Sequence, residues 1–87
     1  MTGSSTEATR SLRIPLLSLS SRERECLLWA ARGKTYYEIG LILELSYGSV
    51  KTYLDHCRYK LDSATLAQAT AYAVALNIIT ADDLMGR

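Results

Sequence analysis

The stretch TYYEIGLILELSYGSVKTYLDHCRYKL, residues 35–61, decides the fold. In its second half Val50, Leu54, Cys57 and Leu61 recur at steps of four, three and four, which puts them on one face of a helix suited to burial. Lys51, Thr52, Asp55, Arg58 and Tyr59 fall on the opposite face, a mixture of cation, anion and hydrogen-bonding groups. The first half opens with Thr35 three residues before Glu38, the spacing of a capping box in which each side chain serves the other residue's backbone amide. The pattern predicts a short helix over 36–43, a tight turn at Glu44, Leu45 and Ser46, and a longer helix over 47–61. A short helix turning directly into a longer one is the outline of a helix-turn-helix. Gly40 is costly inside the short helix, by about 1 kcal/mol relative to alanine. Close approach of the two helices, where a larger side chain would clash, would account for it.

Working outward, the same punctuation recurs. Ser20 stands three residues before Glu23 and Thr65 three before Gln68, each opening an apolar helical pattern. These predict a first helix over 21–32, ended by Gly33, and a fourth over 66–77, ended near Asn77. Ser46 is a further N-cap, although Ser49 replaces the usual Glu or Gln. The closing TADDLMGR adds at most a fraying last turn. Residues 1–15 read as a flexible tail, rich in Ser and Thr and ending at the only proline, Pro15. An extended lead-in follows, whose Leu16, Leu17 or Leu19 packs on the body. The predicted architecture is all-α: four helices in a domain over 16–82, with 83–87 as a C-terminal tail.

With 87 residues and no phenylalanine, the chain has material for one small core. A domain of this size buries only about 60% of its unfolded-chain surface, so modest stability is expected. No apolar run approaches the ~20 residues that span a bilayer. The polar start and the lack of a sustained apolar core argue against a signal peptide. Cys26 and Cys57 both fall on apolar helical faces and read as small core residues in a reducing cytoplasm rather than as a disulfide or redox switch. A single histidine and the absence of a C-x-x-C pair leave no metal site to argue. There is no Gly-rich phosphate loop and no local catalytic signature, so no cofactor and no enzymatic activity are expected.

Residues 19–79 resemble the LuxR/GerE-type DNA-binding domain. The resemblance rests on Leu19, Ser20, Arg22, Glu23, Glu25, Leu27, Gly33, Lys34, Thr35, Glu38, Ile39, Leu43, Ser46, Val50, Lys51, Lys60, Leu61, Ala69 and Ala73, in order. The C-terminal DNA-binding region of sigma factors shares part of this outline. The Ala-rich helix after Leu61 is similar to the extra helix of the LuxR type and favours that reading. The resemblance implies a four-helix domain of a cytoplasmic bacterial transcriptional regulator, with its third helix in the major groove of promoter DNA and its fourth helix mediating dimerisation. A sensing or phosphoreceiver domain normally precedes such a domain. Here only a short tail does, so the chain is either a stand-alone effector or a module separated from its sensor.

Carried over position by position, the resemblance implies base contacts from Lys51, Thr52 and Asp55. Lysine can donate to guanine, and a threonine methyl can meet the thymine methyl. Phosphate contacts are implied for Lys34, Thr35, Ser46, Tyr47, Arg58 and Lys60. Tyr47 has a second reading, as a lid on the core. Asp55 has three: acceptor from cytosine N4, intrahelical partner of Lys51 or Arg58, or mark of a domain that binds DNA poorly. The pairing is favoured. On the fourth helix Ala69, Ala73 and Leu76 are expected in the core, leaving Leu66, Ala67, Thr70, Val74 and Asn77 as an outward face for a homodimer. The alternative is that the N-terminal IPLL segment folds back over that face.

This sequence departs from the family pattern at Ser49, Tyr53, Leu66 and Asn77, where Thr, His, Arg and Gly are usual. Residues 20–62 hold seven cations against six anions, far from the strongly basic footprint of a tight DNA binder. That near-neutrality keeps a second function open. The domain would then be a protein-interaction module that pairs with a full-length regulator or contacts RNA polymerase.

Overall fold

A computed structural model of the chain describes residues 19–86. The expected tail over 1–15 and the packing of Leu16 and Leu17 lie outside the described residues. Five helices follow in order: α1 Ser21–Ala31, α2 Tyr36–Leu43, α3 Tyr47–Lys60, α4 Leu66–Ala75 and α5 Ala81–Met85, with no strand among the described residues. The first four match the predicted helices to within two residues at either end.

Each start is chemically explicit. Ser20 Oγ accepts from the Glu23 amide at 3.2 Å, while Glu23 accepts from the Ser20 amide at 2.8 Å. Thr35 and Glu38 form the same reciprocal pair at 3.2 and 2.9 Å. The third expected box closes only on one side. Thr65 accepts from the Gln68 amide at 3.1 Å, but the Gln68 side chain takes the amide of Ala64 instead, at 2.8 Å. A box not anticipated joins Thr80 and Asp83 and starts α5.

The ends are equally local. Gly33, Glu44, Asp62 and Asn77 take left-handed backbone angles after α1, α2, α3 and α4. At three of these ends the two amides that follow the last turn reach back to carbonyls otherwise left open. Gly33 and Lys34 donate to Ala30 and Trp29, Asp62 and Ser63 to Tyr59 and Arg58, and Asn77 and Ile78 to Val74 and Ala73.

The core assembles where the four principal helices meet. Val50, Leu54, Cys57 and Leu61 of the α3 stripe are all buried, against Cys26 and Leu27 of α1, Ile39 of α2, and Ala69 and Ala73 of α4. Leu19 packs on this cluster, as expected. Both cysteines are free and buried, and burial pushes the Cys57 thiol up to about 12. Gly40 is buried, but the obstacle to a side chain there is not α3. A Cβ would lie 2.7 Å from the Leu45 carbonyl oxygen in the turn, and 3.9 Å from Val50 Cγ2.

Two expectations for α4 are corrected. Leu76 is 39% exposed instead of lying in the core stripe. The helix ends at Ala75, the left-handed Asn77 swings the chain round, and Ile79 enters the core in its place. Leu66, the first residue of α4, is half-buried and packs on the core instead of facing outward. Nor does the chain fray after Asn77. Arg24 of α1 donates to the Ile78 carbonyl at 3.0 Å and to Asp83 at 2.7 Å, latching α5 to the body. The domain boundary expected at residue 82 falls inside that helix.

Candidate nucleic-acid interface

With one stripe of α3 fully buried, the opposite face is left to solvent, and the side chains on it are positioned by the helix alone. Lys51 and Thr52 are exposed, and Asp55 is half-buried. Lys51 Nζ lies 3.0 Å from one Asp55 carboxylate oxygen, and Arg58 Nη1 lies 3.6 Å from the other. Asp55 therefore pairs one turn back and one turn forward, the arrangement favoured from sequence. Arg58 is further committed through a 2.8 Å bond from Nη2 to the Ala64 carbonyl.

At the start of α3, Ser46 Oγ accepts from the Ser49 amide at 3.1 Å and donates to Ser49 Oγ at 3.0 Å. Ser46, Gly48, Ser49, Thr52 and Tyr53 line a shallow depression of about 520 Å³. Its rim carries hydroxyls and no charged group. The exposed Tyr47 ring sits 5.7 Å from that of Tyr36, tilted by 52°. Because Tyr36 follows Thr35 and Tyr47 follows Ser46, this contact brings the starts of α2 and α3 together. Lys34 and Thr35 stand exposed just before α2. Glu38 is held below the usual carboxylate range, chiefly by the hydrogen bond from the Thr35 amide.

Lys60 is placed elsewhere. Its Nζ turns inward and lies 2.8 Å from Glu23 Oε1, on the side of α3 that faces α1. Glu23 is only 4% exposed. Burial pushes its carboxyl up, but hydrogen bonds from Lys60 and the Ser20 amide, with the lysine charge, outweigh that and hold it low. His56 joins the same cluster, its Nδ1 3.3 Å from Glu23 Oε2. The sequence reading assigned Glu23 to capping and passed over His56. The available signal was the four-residue step from His56 to Lys60, which stacks them on one strip of α3.

On α4, Ala67 and Val74 are exposed, as is Asn77 just past its end. Thr70 is half-buried, its hydroxyl donating to the Ala67 carbonyl at 2.8 Å.

A short α2 turning through three residues into a longer α3, which is buried along one stripe and polar along the other, defines a helix-turn-helix domain. Residues 17–73 match the family model described as "Bacterial regulatory proteins, luxR family", and the chain belongs to that family. It is 44% identical over 61 residues to the quorum sensing-dependent transcriptional regulator VjbR of Brucella ovis, an alignment covering 70% of this chain and 24% of the relative. The quorum sensing-dependent transcriptional regulator RpaR of Rhodopseudomonas palustris is 44% identical over 61 residues, covering 70% of this chain and 25% of the relative. The transcriptional activator protein SolR of Ralstonia nicotianae is 40% identical over 62 residues, covering 71% and 26%. The chain thus spans about a fifth to a quarter of the length of the curated relatives it matches. No solved structure matches it.

Proposed function

We propose that this chain is the DNA-binding unit of a bacterial transcriptional regulator, working in the cytoplasm by laying α3 in the major groove of promoter DNA. The observation that carries this reading is the division of α3, with four residues sunk in the core and Lys51 and Thr52 presented together on the opposite face. Lys51 and Thr52 read base edges, with Asp55 holding the Lys51 ammonium in place until DNA competes for it. Lys34, Thr35, Ser46, Tyr47 and Arg58 hold the phosphates on either side. Lys60 is left out of this set, because its ammonium is engaged by Glu23. Two copies pair through α4, by Ala67, Val74 and Asn77 with Thr70 at the edge, and read an inverted repeat.

The test is selection of binding sites from a random DNA pool, followed by anisotropy titrations over a salt series. Specific binding that is lost in Lys51→Ala supports the reading, and the absence of any selected sequence at low salt would sink it.

A second reading is favoured by one observation. Tyr37 and Leu41, one turn apart on α2, are 67% and 64% exposed. A protein-interaction module would use such a strip to engage a full-length regulator or RNA polymerase. Stable capture of either partner by a chain that selects no DNA would establish it.

A further inference from the structure

The chain holds one histidine, His56, and it stands on the solvent side of α3. It lies one turn after Thr52 and one turn before Lys60, with 56% of its side chain exposed. Its Nδ1 is 3.3 Å from Glu23 Oε2. Glu23 is buried and its carboxyl is held low, so that oxygen belongs to a carboxylate at neutral pH. A carboxylate beside one ring nitrogen keeps the proton there and fixes the tautomer. The neutral ring therefore leaves Nε2 as a bare acceptor, which a phosphate oxygen repels. The protonated ring makes the same nitrogen a charged donor.

The element beside the imidazole is α1. Of the charges on α1, Glu23 meets the ring, while Arg22 is paired with Glu25 and Arg24 with Asp83. On α3 itself Asp55 is paired with Lys51 and Arg58, and Lys60 shares Glu23 with the ring. The Lys60 ammonium opposes a second cation on that carboxylate, and an arriving phosphate offsets it. We propose that His56 takes up a proton from solvent at Nε2 when duplex DNA seats on α3 and donates it in a hydrogen bond to a backbone phosphate, so that DNA affinity rises as the pH falls through the range in which histidine becomes charged. The inference rests on the DNA-binding reading above and adds to it a contact whose charge depends on pH.

The test is an anisotropy titration of the whole chain on a duplex that the wild-type protein selects from a random pool, at fixed salt from about pH 7.5 to about pH 5.5. The thermal midpoint is measured at each pH. Histidine changes charge in this window, and burial pushes both cysteine thiols further above it. Wild-type affinity should rise roughly tenfold toward the acid end, where the slope of log affinity against log salt should be steeper by about one. His56→Gln should hold the weaker affinity at every pH and His56→Lys the tighter one. Both midpoints should stay close to wild type, because the side chain is more than half exposed. Wild-type affinity that is flat with pH would overturn the inference while leaving the DNA-binding reading intact. So would a rise that persists in His56→Gln, or one matched by an equal change in thermal stability. If the wild-type protein selects no duplex at all, the broader reading fails first and this one falls with it.

Discussion

At the scale of single residues, two carboxylates on opposite sides of α3 do opposite kinds of work. Asp55 is a surface partner, and its pairs with Lys51 and Arg58 contribute little to folding, about 0.3–0.5 kcal/mol for a helical pair in water. Its consequence is for binding, because each cation it holds is one less for phosphate or base. Asp55→Asn should leave the thermal midpoint almost unchanged and tighten binding to all DNA alike, read by anisotropy on selected and scrambled duplexes. A change confined to one base pair of the selected site would instead make Asp55 a cytosine reader. Glu23 is different, because it is buried and holds the start of α1, Lys60 and His56 at once. Removing it takes away the buried carboxylate that caps α1 and pairs with Lys60, so Glu23→Ala should cost about 2–3 kcal/mol in urea unfolding. The sign of the pH effect follows from its lowered pKa. Glu23 binds its proton more readily in the unfolded chain, so its contribution is present at neutral pH and drains away as the pH falls below about 4. Asp83 adds in the same direction, held low first by the Thr80 amide. Thermal melts from pH 7 to 3 should therefore decline steeply only at the acid end, and Glu23→Ala should flatten that decline.

At the scale of the helix, starts and stops obey different chemistry, and this explains what could be read in advance. The starts of α1, α2 and α3 were legible because a cap acts over three residues and needs no tertiary contact. The stops were legible where glycine or asparagine stood after the helix, but Glu44 and Asp62 adopt the same left-handed turn without announcing it. Leu76 was misjudged because it follows the last helical residue, Ala75, where the stripe no longer sets direction, and Leu66 because it stands three residues before Ala69 on the buried stripe itself. The Lys60–Glu23 pair was invisible because its partners lie 37 residues apart and meet only once α1 packs on α3. The left-handed residues make a graded prediction. A non-glycine residue in this region costs about 1–2 kcal/mol, less for Asn or Asp, whose side chains tolerate it. Glu44→Gly should therefore stabilise the domain most, by about 1 kcal/mol. Asp62→Gly and Asn77→Gly should give smaller gains, offset in part by the freer unfolded chain. Gly40→Ala should go the other way despite alanine's better propensity, losing about 1–3 kcal/mol to the clash with the Leu45 carbonyl. Equal midpoints for Gly40→Ala and wild type would mean that the turn yields where the packing says it cannot.

At the scale of the whole molecule, charge and size limit what one copy can do. The formal net charge is +1, and Lys60 is withdrawn into the α1–α3 joint. If each domain neutralises about three phosphates, the slope of log affinity against log salt is about −3 for a monomer and twice that for a pair. Weak binding by one copy becomes useful binding by two only if something holds them together, and α4 is where the pairing proposed above puts it. Ala67 and Val74 are seven residues apart, so they share one face of the helix, and both are exposed. A charge in that strip would have to be buried without a partner for two copies to meet. Val74→Arg should therefore leave the thermal midpoint of the monomer nearly unchanged, since Val74 lies outside the core, while shifting the sedimenting species from dimer to monomer. On an inverted repeat the variant should lose the avidity of joined sites, roughly a hundredfold in affinity, with its salt slope halved. On a single half-site it should bind like the wild type. If wild type and Val74→Arg sediment alike as monomers, and lose affinity equally when the repeat is cut to a half-site, α4 does not join the copies.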